Sequence, residues 1–393
     1  MNLLIINYMA LPLPPSKGGA VEYLVDAFLK DNEKTHNHNI TLYSIYDQEA
    51  EKQSKEYKYT RFKFIKIKGL LDKIDRIVRH LINRHAHIYI GNTYISKIIK
   101  AEKDWDKYDA IIIENAPEFG LKIPQKYRNK LILHLHNDYL NSKTKMAQKI
   151  FDCYDKIYTI SNSLGDCVQS IEKSHKVMTL YNGIDLKRFF YDENLRIALR
   201  KKYNINNDDF VFMYCGRLVP DKGVYELVKA FSDIKNQNIK LLIVGGTGYS
   251  KNEESDYIKS IKEIADNRVI LTGFLPYYQM AQMYSIPDVG VVPSMCNDGF
   301  NLTVVEFSAC MVPLIISDRG AMKELVSDEY AIIAQCDEDF AKNIYNSLKY
   351  LIDNAEKIPA MRTKALENSK RFGIDKYCER FNVLLEKLKE EHN

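Results

Sequence analysis

Eleven short apolar runs, each separated from the next by a helix-length stretch, constrain this chain more than any other feature of its sequence. In the first half they read LLIINY, ITLYSIY, FKFIKI, AIIIEN, KLILHLH and KIYTIS; in the second, DFVFMYCG, KLLIVGG, RVILTGF, VGVVPS and VPLIIS. A strand with one face in water alternates apolar and polar residues. Most of these runs are apolar on both faces, which is the pattern of parallel strands covered on two sides. The intervening segments are long enough for the crossover helices that parallel strands require.

A chain of 393 residues exceeds one typical core, so two domains are expected. The strand series restarts at DFVFMYCGRL after the polar stretch YDENLRIALRKKYNINND, placing a boundary near residues 185–205. The expected division is 1–190 and 191–370. Residues 371–393 (IDKYCERFNVLLEKLKEEHN lies within them) form an amphipathic helix able to pack back on the N-terminal domain. The architecture that follows is α/β, two Rossmann-like doubly wound parallel-sheet domains facing each other across a cleft.

A formal charge of +4 over this length excludes a general polyanion binder, and no nucleic-acid partner is expected. MNLLIINYMALPLPPSKGG lacks a basic start and a small-residue cleavage site, so no signal peptide is expected. No apolar run approaches the roughly 20 residues of a transmembrane helix. The seven cysteines are scattered and include no CxxC pair, which disfavours disulfides and zinc clusters and fits a cytoplasmic protein.

In parallel sheets, ligands gather at the carboxyl ends of strands. Four loops hold that position. PPSKGGAVEYLVDAFL places Gly18 and Gly19 before a helix, where their amides can approach a ligand. CGRLVPDKGVYELVKAF places Arg217 at a strand end and Lys222 at a helix start, where a cation opposes the helix dipole unless an anion meets it. KLILHLHND puts His134 and His136 on one strand face; two such histidines suit a metal, but the only evident third ligand is Asp138, and no metal site is assigned. SMCNDGFNLTVVE holds Asp298 and Glu306, with the amides of Gly299 to Leu302 between them. A lone Asp298 reads as a helix cap and a lone Glu306 as a solvated residue. Together, two carboxylates flanking an anion site suit paired hydroxyls on either side of a diphosphate, as in a nucleotide-sugar.

At this point the chain resembles the retaining GT-B glycosyltransferases of family 4, the glycosyl transferases group 1 type. SKGGAVE, YNGIDLKRF, CGRLVPDKG and DGFNLTVVE match its Gly-Gly loop, interdomain segment, diphosphate motif and carboxylate element, in the family's order. The resemblance implies a GT-B fold and no required cofactor. It implies that Gly19 donates its amide to the diphosphate, with Gly18 beside it. Arg217 and Lys222 neutralise the diphosphate, Glu306 binds the ribose, and Asp298 reads the donor sugar where the family has Glu. Phe300, Asn301, Leu302 and Thr303 line that contact, and His136 lies near the transferred sugar. Gly216 and Gly246 are strand-end glycines, and Phe274 and Leu275 flank the base. The shorter Asp298 and the Gly299–Asn301 stretch depart from the family pattern and bear on the donor sugar.

The implied reaction is transfer with retention from a nucleoside-diphosphate sugar, a UDP-sugar first and a GDP-sugar next, to a saccharide acceptor. The basic segment 58–84 bears on that acceptor. Leu70, Leu71, Ile74, Ile77, Val78, Leu81 and Ile82 share one helical face, with Lys73, Arg76, Arg79 and Arg84 off it. Such a helix either rests on the cytoplasmic face of an anionic inner membrane, implying a lipid-linked acceptor in capsule or exopolysaccharide assembly, or buries its apolar stripe on a sheet. The rival functions are a non-catalytic GT-B partner subunit, an epimerase using the same cleft, and a membrane-binding protein without activity. Retention of Arg217, Lys222 and Glu306 favours catalysis.

Overall fold

The computed structural model describes residues 1–67, 69–85, 89–247 and 255–391. The chain divides into two compact units: Met1–Gly183 together with Ile374–Asn393, and Ile184–Gly373.

Among the described residues, unit 1 carries a sheet of seven parallel strands, β1 (Asn2–Ile6), β2 (Asn39–Ile45), β3 (Thr60–Ile65), β4 (Ala110–Glu114), β5 (Leu131–Leu135), β6 (Lys156–Thr159) and β7 (Val177–Thr179). Their spatial order is β3-β2-β1-β4-β5-β6-β7. Unit 2 carries six, β8 (Phe210–Cys215), β9 (Ile239–Val244), β10 (Val269–Gly273), β11 (Val289–Val292), β12 (Leu314–Ser317) and β13 (Ala331–Ala334), ordered β10-β9-β8-β11-β12-β13. In each sheet the order reverses once, where β1 meets β4 and where β8 meets β11. Loops leaving the two strands of such a pair diverge to opposite faces and open a crevice at the carboxyl edge. Topology alone thus fixes one favoured ligand position per unit.

The all-apolar runs behave as their composition demands. Every residue of β4 and β5 is buried, as are Leu3 to Ile6 of β1. The first helix, Ala20–Thr35, covers this sheet with Leu24, Val25, Phe28 and Leu29. The last helix, Ile374–Glu391, completes the same core. Its Phe381 ring lies 4.7 Å from that of Phe28, and Asn382 Oδ1 lies 2.8 Å from His38 Nε2. In unit 2, buried Arg200 ties its helix to the start of β11 through Asp288 at 2.8 Å and to the carbonyls of Ile286, Asn206, Asn207 and Asp209. An arginine is tolerated there because each face of its guanidinium fork meets an acceptor.

The helix Leu70–His85 resolves the two orientations its sequence allows. Its polar row, Asp72, Asp75, Arg79 and Asn83, faces protein partners, whereas Ile74, Ile77, Val78, Leu81 and Ile82 are exposed. Arg79, expected off the apolar face as a solvent-facing cation, instead turns to Asp75 and to the carbonyl of Ile90. No described helix is long and apolar enough to cross a membrane.

Candidate active site

The switch point of unit 2 brings together two loops that lie about seventy residues apart in sequence. After β8, Gly216 adopts φ +155° and its N–H donates to the Val244 carbonyl at 3.0 Å. Leu218 N–H reaches the Gly246 carbonyl, and Gly245 N–H the Gly273 carbonyl, so the ends of β8, β9 and β10 are laced by backbone bonds. A side chain on Gly245 would overlap the Gly216 carbonyl, which is why glycine stands there. Gly246 is buried, while Phe274 and Leu275 are half-buried just beyond β10.

The β8 loop then docks on the β11 loop. Met295 N–H donates to the Asp221 carbonyl at 2.8 Å, and Gly223, at φ +66°, sits so close to the Pro293 carbonyl that any Cβ would collide with it. This contact aims Lys222. Its Nζ lies 2.7 and 2.9 Å from the two oxygens of Asp298, and 3.3 Å from both Ser294 Oγ and Cys296 Sγ. Asp298 also accepts from Ser294 Oγ at 3.0 Å and from Asn301 Nδ2 at 2.9 Å. Burial opposes the ammonium charge of Lys222, but Asp298 outweighs it and lifts the pKa above its ordinary value. The reciprocal holds for Asp298: burial would raise its pKa, and Lys222, Asn301 and Ser294 bring it below the usual carboxylate range.

This pairing corrects one step of the sequence reading. Lys222 was expected to lack an anion until a ligand supplied one; Asp298 supplies it, because adjacent strands β8 and β11 deliver both loops to one edge. Nor does Asp298 cap the following helix. The helix Leu302–Ala309 starts one residue after Asn301, whose Oδ1 accepts from Val304 N–H, leaving Leu302 and Thr303 in the first turn with their amides pointing out of the helix end. Phe300 meets the Phe372 ring edge-on at 5.8 Å. Arg217, by contrast, is exposed; its carbonyl accepts from Tyr214.

Glu306 is buried rather than solvated. The Tyr284 hydroxyl donates to its Oε2 at 2.6 Å, and the same hydroxyl lies 3.3 Å from Cys215 Sγ, at the end of β8. Burial and the Glu306 charge push the Cys215 thiol up to about 12. Through Tyr284 and Asn301, Glu306 and Asp298 are fixed at the same sheet edge as Lys222. Two groups here were missed in sequence, Tyr284 and Gly320. Gly320 stands where a Cβ would strike the backbone of Asp298, and it lies in the ISDRG turn directly after β12.

Unit 1 has its own cluster at its switch point. His136 Nε2 lies 3.0 Å from Glu114 Oε2, and His136 N–H donates to Asn115 Oδ1 at 3.0 Å. His134 Nδ1 is also 3.0 Å from Glu114 Oε2, while its Nε2 has no hydrogen-bond partner among the described residues. The three ligand atoms of Glu114, His134 and His136 lie within 4.8 Å of one another, so this set could hold a metal ion. The third ligand sought in sequence is therefore Glu114, on the neighbouring strand. Asp138 instead accepts from Asn141. Burial, and then the neighbouring His134, lower the His136 pKa to about 4, which leaves the imidazole neutral at pH 7. Glu114 stays ionised although it is fully buried, because the two imidazoles outweigh the cost of burial.

At the β1 side of this switch point, Gly18 and Gly19 take φ +79° and +106°. Lys17 pairs with Asp47 at 2.7 Å and Ser16 Oγ donates to Asp47, which pins the loop. The Gly18 N–H is not free as expected, since it donates to the Pro15 carbonyl at 3.3 Å; Gly19 caps the first helix. A Cβ on Gly19 would strike the Glu22 carboxylate. Glu22 is itself buried, and burial, reinforced by Glu114, raises its pKa to about 7. Sequence reading passed over it, although it stands in the quoted SKGGAVE.

Residues 196–370 match the family model described as glycosyl transferases group 1. The chain is 30% identical over 264 residues to an uncharacterized glycosyltransferase of Methanocaldococcus jannaschii, covering 63% of this chain and 67% of that one. It is 29% identical over 275 residues to the lipopolysaccharide 1,2-N-acetylglucosaminetransferase of Salmonella typhimurium, covering 68% of each. Among solved structures it is similar to Anabaena HepE in complex with UDP, with a TM-score of 0.74 at 17% identity over 98% of this chain and all of that one. The fold is GT-B.

Proposed function

This chain belongs to the glycosyl transferases group 1 family, and from that premise we propose that it transfers a sugar, with retention, from a nucleoside-diphosphate donor to a saccharide carried on a lipid. UDP is the first choice of nucleotide and GDP the second. The observation that carries the reading is the Lys222–Asp298 pair at the switch point of unit 2, beside exposed Arg217 and buried Glu306. UDP in the HepE structure supports the donor class, and the lipopolysaccharide transferase supports the acceptor class. Capsule or other surface-polysaccharide assembly is the setting, and the working protein sits peripherally on the cytoplasmic face of the membrane.

In this mechanism the diphosphate approaches the Lys222 ammonium from the side that Asp298 leaves open, and Arg217 supplies the second cation. Charge that builds on the departing diphosphate meets Lys222, Arg217 and the first-turn amides of Leu302 and Thr303, all in place before the bond breaks. Asp298, still held by Ser294 and Asn301, accepts from donor-sugar hydroxyls, and Glu306 accepts from the ribose. In unit 1 the Gly19 amide and the neutral His136 imidazole serve the leaving group and the sugar hydroxyls. The acceptor hydroxyl attacks the anomeric carbon on the face that the diphosphate vacates, forming the new C–O bond as the bond to the diphosphate breaks and giving its proton to the departing diphosphate oxygen.

The test is release of nucleoside diphosphate from a panel of UDP-, GDP- and ADP-sugars, with and without EDTA. We expect release from one UDP- or GDP-sugar, unaffected by EDTA because cations of the chain neutralise the diphosphate, and lost at least about a hundredfold in Lys222→Ala. Equal release by the variant sinks the assignment.

A further inference from the structure

Helix Leu70–His85 is inverted relative to a helix that packs on a sheet. Such a helix normally turns its apolar row inward and its charges to water. Here one row, Asp72, Asp75, Arg79 and Asn83, grips the protein. Asp72 pairs with Lys97 at 2.6 Å, and Asp75 accepts from Thr93 Oγ1 at 2.7 Å and pairs with Arg79. Arg79 donates to the Ile90 carbonyl at 3.0 Å, and Asn83 accepts from Ile90 N–H at 2.8 Å and donates to the Gly91 carbonyl. The opposite row, Ile74, Ile77, Val78, Leu81 and Ile82, stands 36–52% exposed. Five large aliphatic side chains in one stripe favour a partner that removes them from water.

Charge decides which partner. Both acids of the helix are engaged in ion pairs on the inner side. Beside the apolar row, Lys73 and His80 are exposed, and the same helical row passes through positions 76 and 84, which are arginines in sequence. Lys145 Nζ adds a cation at the C-terminal end, 2.9 Å from the Asn83 carbonyl. The free surface is therefore apolar with a basic margin. A second copy related by a two-fold axis would set that basic margin against its own image.

We propose that this helix lies in the interface of a bilayer rich in anionic lipid, with Ile74, Ile77, Val78, Leu81 and Ile82 among the acyl chains and the basic margin on headgroup phosphates. The inference names the element behind the peripheral-membrane part of the functional reading. Its test uses no turnover, so the two can fail separately. The full chain is floated with vesicles of phosphatidylcholine alone and of phosphatidylcholine with about 30% phosphatidylglycerol. We expect at least tenfold greater partition into the anionic vesicles, weakened by salt. The double variant Ile77→Glu, Leu81→Glu should lose at least tenfold of it with an unchanged circular-dichroism melt, and Lys73→Glu should lose a few-fold. Equal partition into both vesicles, or full binding by the double variant, overturns the proposal. So does a lipid-free dimer in sedimentation velocity that the double variant dissociates while the wild type ignores vesicles.

Discussion

The two switch points share a topology and differ in charge. At β8–β11 a half-buried lysine is answered by one aspartate, with a second, exposed cation nearby. At β1–β4 a buried glutamate is answered by two imidazoles, with a second buried carboxyl, Glu22, whose pKa is raised to about 7. Sheet order determines where a ligand can enter; the side chains at that edge determine which ligand. The first arrangement suits a diphosphate; the second, where Lys17 is taken up by Asp47, suits hydroxyls.

Removing the central charge of each cluster should separate them most sharply. Lys222→Ala is expected to lower kcat/KM by about 10²–10³, or roughly 3–4 kcal/mol of transition-state stabilisation. Glu114→Gln should cost nearer tenfold, mostly in kcat, because it loosens the His136 ring without touching the diphosphate. Steady-state kinetics on both variants check this, and equal losses would erase the distinction.

Glu22 makes the unit 1 cluster sensitive to pH. Its folded-state pKa of about 7 lies above the ordinary glutamate value, so the folded chain holds a proton that the unfolded chain releases. The contribution of Glu22 to stability should therefore fall as pH rises from about 4.5 to 7 and level off above, by roughly 3 kcal/mol at most, while the lowered pKa of His136 acts in the opposite sense below about 6.5. Urea unfolding of wild type and Glu22→Gln at pH 5 and pH 8 isolates the Glu22 part: the stability of wild type relative to the variant should drop between the two. An unchanged difference would place the titration elsewhere.

The strands were legible because both-face apolar runs leave few alternatives to a covered parallel sheet. β7 and β13 were not, since each is a short strand at a sheet edge and their runs, VMT and AIIA, carry little signal. The candidate residues of unit 2 were legible as types but not as partners. Nothing local in CGRLVPDKG or SMCNDGF reveals that Lys222 and Asp298 touch; only the adjacency of β8 and β11 does. Glu114 was hidden in the same way, read only as part of the strand run AIIIEN. The periodicity of residues 70–85 gave two faces of a helix but no means of telling which one meets the protein.

A smaller effect sharpens the unit 2 picture. In Asp298→Asn the Lys222 ammonium no longer has an anionic competitor, so bare nucleoside diphosphate should bind about fivefold tighter, near 1 kcal/mol, while sugar turnover falls. Weaker binding of the bare nucleotide would mean that Asp298 mainly positions Lys222.

The most direct measurement of the central claim is calorimetric titration of UDP and GDP into wild type, Lys222→Ala and Glu114→Gln. The account predicts saturable binding of one nucleotide to wild type, at least tenfold weaker in Lys222→Ala and unchanged in Glu114→Gln. Undiminished affinity in Lys222→Ala, or a loss confined to Glu114→Gln, would contradict it.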